Sequence, residues 1–385
     1  MRAHRVPVIL AGVGLVSAAC GSSVPSGALT TLPAAEGKLN LVIWVGYAER
    51  GATAGFDWVT PFENQTGCKV STTDGVDSPN MVSLMATGQY DGVSASGDAT
   101  LRMIAAGTVA PVNLALIPNY ANVFAGLKGQ PHNTVNGVPY GTPHGRGANL
   151  LLYNTDTFPT PPTSWDPVWD PNSPAKGKIS IYNSSIYIAD AAMRLMNKNP
   201  ALGIKDPYQL NDAQFTAAVD LLKQQRKIVG EYWSLSTDQI TSFGSGAMRA
   251  GTSWQYQFNN LPAGSKVGIT KPAEGTTGWS DTWMIATRSA HPGCMYRWMD
   301  WMLSPSANAQ ATIFFGEAPV SQLACDAAEK LSPGHCATYH ANDEAYFSTV
   351  KFWSTPRADC NDTDPATTCK DVNAWIQAWT TITGA

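Results

Sequence analysis

The chain has 385 residues, 44% of them hydrophobic, 10% aromatic and only 14% charged, with 34 Gly and 26 Pro. That composition fits two or three domains with real cores and excludes coiled coil and charge-driven disorder. The net charge of −4, with Lys and Arg scattered along the chain, argues against a nucleic-acid binder, which needs a focused basic surface.

In chain order, Arg2, His4 and Arg5 precede an apolar run from Val6 to Val16, then Ser17-Ala18-Ala19-Cys20-Gly21. A positive start, a short apolar centre and small residues before a cut describe a secretory signal over residues 1–19, too short to be a membrane span. The cut site resembles a bacterial lipobox, with Ser17 where such boxes usually carry Leu. Cys20 would then be the lipidated first residue of the mature protein; the alternative is an ordinary signal followed by a chance cysteine. Cleavage removes two arginines and no acid, which takes the charge to −6. Residues 20–37 hold the lipidated Cys and a small, polar, Pro/Gly-containing stretch that reads as a flexible tether.

From residue 39 strands and helices alternate. Residues 39–45 (LNLVIWV) are a continuous apolar run typical of a buried strand. A helix at 56–65, a strand at 68–72, a helix at 81–87, a strand at 90–94 and a helix at 99–106 follow. This order implies a parallel, doubly wound sheet with helices on both faces. Residues 148–153 read as a strand leaving this unit. Residues 159–174 hold six prolines and two tryptophans, too many breakers for a long regular element. A strand at 179–182 and a helix at 187–197 come next. Asn211 then caps an amphipathic helix in which Phe215, Ala218, Val219 and Leu222 share one face. Further strands are predicted at 247–254, 266–269 and 282–286, and helices at 293–303, 307–315 and 372–382.

Without Cys20, six cysteines remain: Cys68, Cys294, Cys325, Cys336, Cys360 and Cys369. Sequence alone does not choose among their fifteen pairings. The closeness of Cys325 to Cys336 and of Cys360 to Cys369 suggests two clasped loops and leaves Cys68 for Cys294. A bond between those two would return a late segment to the first lobe. A discontinuous first lobe around a continuous second one needs at least two crossings, which form a hinge beside a cleft where ligands bind.

Catalytic patterns are missing: no GxSxG elbow, no GxxxxGK[ST], and no phosphate-loop spacing at His144–Gly147. No CxxC or CxxH occurs, and His335 and His340 read as surface loop, so no metal and no cofactor is expected. The aromatics carry more. Trp44 and Tyr47 follow the first strand at its carboxyl end, Trp254 ends a late strand, and Trp279 stands two residues before Asp281. Flat rings beside a carboxylate suit an organic cation, at about 0.5–2 kcal/mol per ring, and also suit the apolar face of a sugar. Trp58, Trp298, Trp301, Trp375 and Trp379 fall in helical patterns and are assigned to packing.

These residues also carry a family resemblance that covers about residues 39–353. Its markers begin with Trp44-x-x-Tyr47, Gln65-Thr66-Gly67, Tyr90-Asp91-Gly92-Val93-Ser94 leading to Ser96, and Gly141-Thr142-Pro143. They continue with Thr163-Ser164-Trp165, Gly177-Lys178-Ile179, Ser245-Gly246 through Gly251 to Trp254, and Pro272-x-Glu274-Gly275. Trp279-x-Asp281, Ser304-Pro305 and Phe315-Gly316-Glu317-Ala318-Pro319-Val320 complete the set. In this order they resemble the extracellular solute-binding proteins of ABC importers, most of all the spermidine/putrescine-binding group.

The resemblance implies an α/β fold of two lobes, each a mixed, mostly parallel sheet flanked by helices, with hinge crossings and a central cleft. The first lobe would comprise residues 38–146 and 282–385, and the second lobe residues 147–281. Trp44, Tyr47, Ser96, Trp254, Trp279 and Asp281 match ligand-contacting positions of the polyamine binders. Asp281 would pair with an ammonium, and Trp254 and Trp279 would line the methylene stem. Where the family places two second-lobe carboxylates this chain has Ser184 and Tyr187; Asp98 and Glu317 replace two aromatics and could restore charge. The expected protein is a monomeric, non-enzymatic receptor, anchored through Cys20 at the outer face of the cytoplasmic membrane or in the periplasm. Its partners would be a small solute and an importer permease. The solute is expected to be a polyamine or other organic amine; a sugar or sugar alcohol, and more remotely hydrolysis of envelope glycans, are the alternatives.

Overall fold

The computed structural model describes residues 24–360 and 367–384; the expected signal segment and Cys20 lie outside them. Strand Lys38–Ile43 runs parallel to Lys69–Asp74 on one side and to Gly92–Ala95 on the other. Its near-continuous apolar sequence follows from burial on both faces: Leu39, Leu41 and Ile43 enter one core cluster and Val42 the other. Strand Thr282–Ile285 lies antiparallel to Gly92–Ala95, and Thr142–Pro143 completes this first-lobe sheet. The chain has thus returned to the first lobe after residue 281.

The second lobe's sheet has the order Val229–Trp233, Ile179–Tyr182, Ala250–Ser253, Leu150–Asn154, Val267–Thr270. Helix Asp212–Arg226 starts at a complete capping box, Asn211 with Gln214, and buries Phe215, Ala218, Val219 and Leu222. A small sheet joins the lobes: Gly147–Ala148 pairs antiparallel with Thr276–Trp279, which pairs parallel with Val350–Phe352. Three stretches of chain therefore pass side by side between the lobes.

Two expectations are corrected. Residues 28–37 are not a free tether. Leu29 packs on the first-lobe core, its carbonyl accepts the Asn113 amide at 2.9 Å, and Glu36 accepts Gly293 and Cys294 N–H at 2.8 and 2.9 Å. A carboxylate at those unpaired N–H groups caps helix Pro292–Met302 and meets its positive end. The C-terminal helix Val372–Thr383 does not belong with the first lobe either. Trp375, Trp379 and Ile382 are buried in the second-lobe core beside Phe215 and Tyr187, and the crossing at Val350–Phe352 carries the chain there. The disulfides join Cys68 to Cys294, Cys325 to Cys336 and Cys360 to Cys369.

Candidate functional site

Asp281 lies in the turn between the crossing strand Thr276–Trp279 and the first-lobe strand Thr282–Ile285. Tyr47, four residues beyond the opening strand, donates its hydroxyl to Asp281 Oδ2 at 2.8 Å. Ser96, at the carboxyl end of strand Gly92–Ala95, donates to Oδ1 at 2.7 Å. Both come from ends of parallel strands, where such sheets present their binding loops. Asp281 is 3% exposed, and among the described residues its side chain meets hydroxyls rather than a Lys or Arg. Burial pushes its carboxyl up to about 6 against the Ser96 hydrogen bond, with the Glu317 carboxylate adding to the rise.

Tyr47 stacks on His144 at 4.0 Å. The indole N–H of Trp283 donates to His144 Nδ1 at 2.9 Å, so the imidazole proton sits on Nε2, 3.1 Å from Glu317 Oε1. Glu317 is fully buried and held above its ordinary range by burial, with His144 pulling the other way. A Cβ on Gly145 would come within 2.2 Å of Glu317 Oε2. This acid, expected to face a ligand, is instead walled in by His144 and Gly145.

A run of rings leads from Tyr47 to the second lobe. Phe315 meets Tyr47 edge-on at 4.6 Å and Trp279 at 5.7 Å; Trp279 meets Trp254 at 6.1 Å; Trp254 meets Tyr182 at 5.5 Å and Trp233 at 5.1 Å. Trp254 and Trp279 are therefore neighbours where the lobes meet. Trp44 is not part of this run. It packs between the two first-lobe clusters, and its indole nitrogen is buried without a partner.

Asp98, at the start of helix Gly97–Ala105, accepts the Ser78 hydroxyl at 2.9 Å, and desolvation raises it to about 6. Desolvation and then the fields of Asp98 and Asp281 raise the Tyr182 phenol, so both first-lobe acids act across the seam on a second-lobe residue. Ser184 and Tyr187 have structural duties. The Ser184 hydroxyl accepts Ile186 N–H, capping a single turn. Tyr187 is stacked 5.8 Å from Trp169 in the core, its hydroxyl accepting the Gln225 amide at 3.1 Å.

One acid escaped the sequence reading. Asp190 is 9% exposed in the first turn of helix Ile188–Lys198 and accepts the Thr277 hydroxyl on Oδ1 at 2.9 Å. Burial pushes it up to about 7. A lone Asp in the run Ile188-Ala189-Asp190-Ala191-Ala192 was the available signal, because an acid among buried small apolar residues has little solvent to face. Asp190 lines a cavity with Asn149, Tyr182, Tyr187, Trp254 and Trp353. Trp353, just past the third crossing, lies parallel to Tyr182 at 5.7 Å and 6°. The cavity offers about 10 Å³ to the centre of a water-sized sphere, room for roughly one water. As it stands this cavity is too small for a larger molecule.

Residues 57–334 match the family model for bacterial extracellular solute-binding proteins. The putrescine/agmatine-binding protein of Pseudomonas aeruginosa is 22% identical over 305 residues, 74% of this chain and 81% of that protein. The spermidine/putrescine-binding periplasmic protein of Escherichia coli is 24% identical over 313 residues, 78% of this chain and 85% of that one. Among solved structures, a putative spermidine/putrescine ABC transporter protein from Listeria monocytogenes superposes with a TM-score of 0.71 at 15% identity. The match covers 90% of this chain and 98% of that one, and it establishes a shared two-lobed fold.

Proposed function

The chain belongs to the bacterial extracellular solute-binding protein family, and on that premise we propose that it captures a polyamine or related organic amine between its lobes. Proteins of this family are transport components rather than enzymes: they bind a small solute outside the cytoplasm and deliver it to an ABC permease. The observation that carries the amine reading is Asp281, a buried carboxylate held by two hydroxyls beside a run of aromatic rings. A carboxylate out of water needs a cation or a proton, and an ammonium whose carbon stem lies on indole faces satisfies both halves of such a site. Asp190 supplies an acid from the second lobe, where Ser184 and Tyr187 do not. The amine-binding relatives support the same reading. A neutral sugar would bring hydroxyl donors to these acids but no countercharge. Cys20 would hold a monomeric receptor at the membrane surface, a reading supported by the small residues before it.

Calorimetric titration with putrescine and spermidine tests the ligand class. Saturable binding is expected, weakened about 100-fold or more by Asp281→Asn, because removing one partner of a buried ion pair costs about 3–5 kcal/mol. Absence of heat and of any thermal shift with either amine would remove the amine reading and leave the fold untouched.

A further inference from the structure

The two crossings that frame the second lobe are joined by more than backbone. Asn149 follows strand Gly147–Ala148 and Thr277 sits within Thr276–Trp279. The Asn149 N–H donates to the Thr277 carbonyl at 2.9 Å, and the Thr276 hydroxyl donates to the Asn149 carbonyl at 2.7 Å. Their side chains then continue outward in both directions. The Trp254 indole N–H donates to Asn149 Oδ1 at 2.9 Å, Asn149 Nδ2 donates to the Thr277 hydroxyl at 2.6 Å, and that hydroxyl donates to Asp190 Oδ1 at 2.9 Å.

The direction of this chain is fixed by chemistry. An indole can only donate, so the Asn149 oxygen must face Trp254 and its NH₂ must face Thr277. The Thr277 oxygen has then accepted one hydrogen bond, and its single hydrogen goes to Asp190. Asn149 is 7% exposed, Thr277 0% and Asp190 9%, so water does not readily replace a missing link, and each link holds the next in place. Trp254 follows strand Ala250–Ser253 and Asp190 lies on helix Ile188–Lys198. They belong to different elements of the second lobe, and both are tied to the crossings through the same two residues.

We propose that Asn149 and Thr277 are a positioning pair that sets the Trp254 ring and the Asp190 carboxylate relative to the hinge. The wall and the second acid of the cleft then keep a fixed geometry to the strands about which the lobes move. Asn149 itself borders the cavity and Thr277 does not; the role proposed for both is to hold Trp254 and Asp190, whether or not Asn149 also meets the guest. The effect of the pair on affinity rests on reading the cleft as an amine site, whereas its effect on Trp254 does not.

The test is Thr277→Val, which keeps the shape and removes both donor and acceptor, with Thr277→Ser as the rescue. The first readout is hydrogen exchange at the Trp254 indole N–H in ¹⁵N-Trp-labelled full-length protein, its resonance assigned by its loss in Trp254→Phe. Exchange is expected to quicken about tenfold or more in the Val variant and to return towards wild type in the Ser variant. The second readout is affinity for putrescine and spermidine, expected to fall by up to about tenfold per lost link and to recover in the Ser variant. Unchanged indole exchange in a folded Thr277→Val protein overturns the positioning pair, as does failure of Ser to rescue. Should the Val variant not fold, Asn149→Ser is read by the same exchange measurement, since it withdraws the amide from between Trp254 and Thr277. If the wild type binds neither amine, the ligand reading falls, and indole exchange still decides the role of the pair.

Discussion

At Asp281, Asp190 and Asp98 the protein keeps carboxyl groups where their charge is poorly solvated, and burial raises all three, to about 6, 7 and 6. An acid whose folded pKa lies above its unfolded value of about 4 binds its proton more tightly in the native state. Stability from these groups is therefore fully present at and below about pH 4 and is lost as pH rises from there through about 6–7. Buried His132 and His335, lowered to about 4, give the opposite slope, so the comparison is with Asp281→Asn. Relative to that variant the ligand-free Tm should fall between about pH 4 and pH 6, and saturating putrescine should lessen the fall by pairing the ionised carboxylate; a relative Tm rising across this window would contradict the assignment. The same linkage acts on binding. A cation at Asp281 needs the ionised carboxylate, so affinity should rise about tenfold from pH 5 to pH 7 for a group titrating near 6. Titrations in buffers of different ionisation heats should detect proton release at pH 6, diminished in Asp281→Asn.

Among the elements, the start of helix Gly97–Ala105 is where the third crossing leans on the first lobe. A Cβ on Gly97 would lie 1.8 Å from the Trp353 carbonyl oxygen, and the Thr355 hydroxyl donates to the Gly97 and Asp98 carbonyls at 3.2 and 2.9 Å. Gly97→Ala should force this backbone away, costing about 1–3 kcal/mol of stability and weakening amine binding by lifting Trp353 from Tyr182. Asn211→Ala is the contrasting case. It removes a helix cap worth about 1 kcal/mol and is not among the residues lining the Asp190 cavity, so it should lower Tm and leave affinity alone. That helix was fully legible, because a cap and a 3.6-residue apolar period are local signals. Thr276–Trp279 was not. Its four residues Thr-Thr-Gly-Trp have no period, and they form a strand only because Gly147–Ala148 and Val350–Phe352 arrive on either side. Strand Val229–Trp233 (VGEYW) escaped likewise, since an early Gly and a central Glu mask it. Trp44 stands apart from the ring run: the apolar run 39–45 continues past the strand's end at Ile43, and its partly buried ring packs against the two first-lobe clusters. Asp281, Tyr47 and Ser96 were legible through a family pattern, whereas Asp190 and Trp353 acquire their neighbours only from distant segments.

For the whole molecule, the disulfides lie within lobes rather than between them. Cys68–Cys294 closes 226 residues of chain yet staples the start of one first-lobe strand to a first-lobe helix. In the chain-entropy model a loop this long stabilises by about 5 kcal/mol, against about 3 kcal/mol for the ring at Cys325–Cys336. Replacing both Cys68 and Cys294 by Ser should lower Tm strongly with little change in amine affinity, as differential scanning calorimetry and titration would report. Loss of affinity without loss of stability would mean that the staple reaches the cleft. The three side-by-side crossings bear on how the halves come apart. A ribbon of laterally hydrogen-bonded strands flexes across its flat face and resists shear along its length or torsion about it. Any parting of the two halves would then be a swing like covers on a spine, opening widest at the edge opposite the binding.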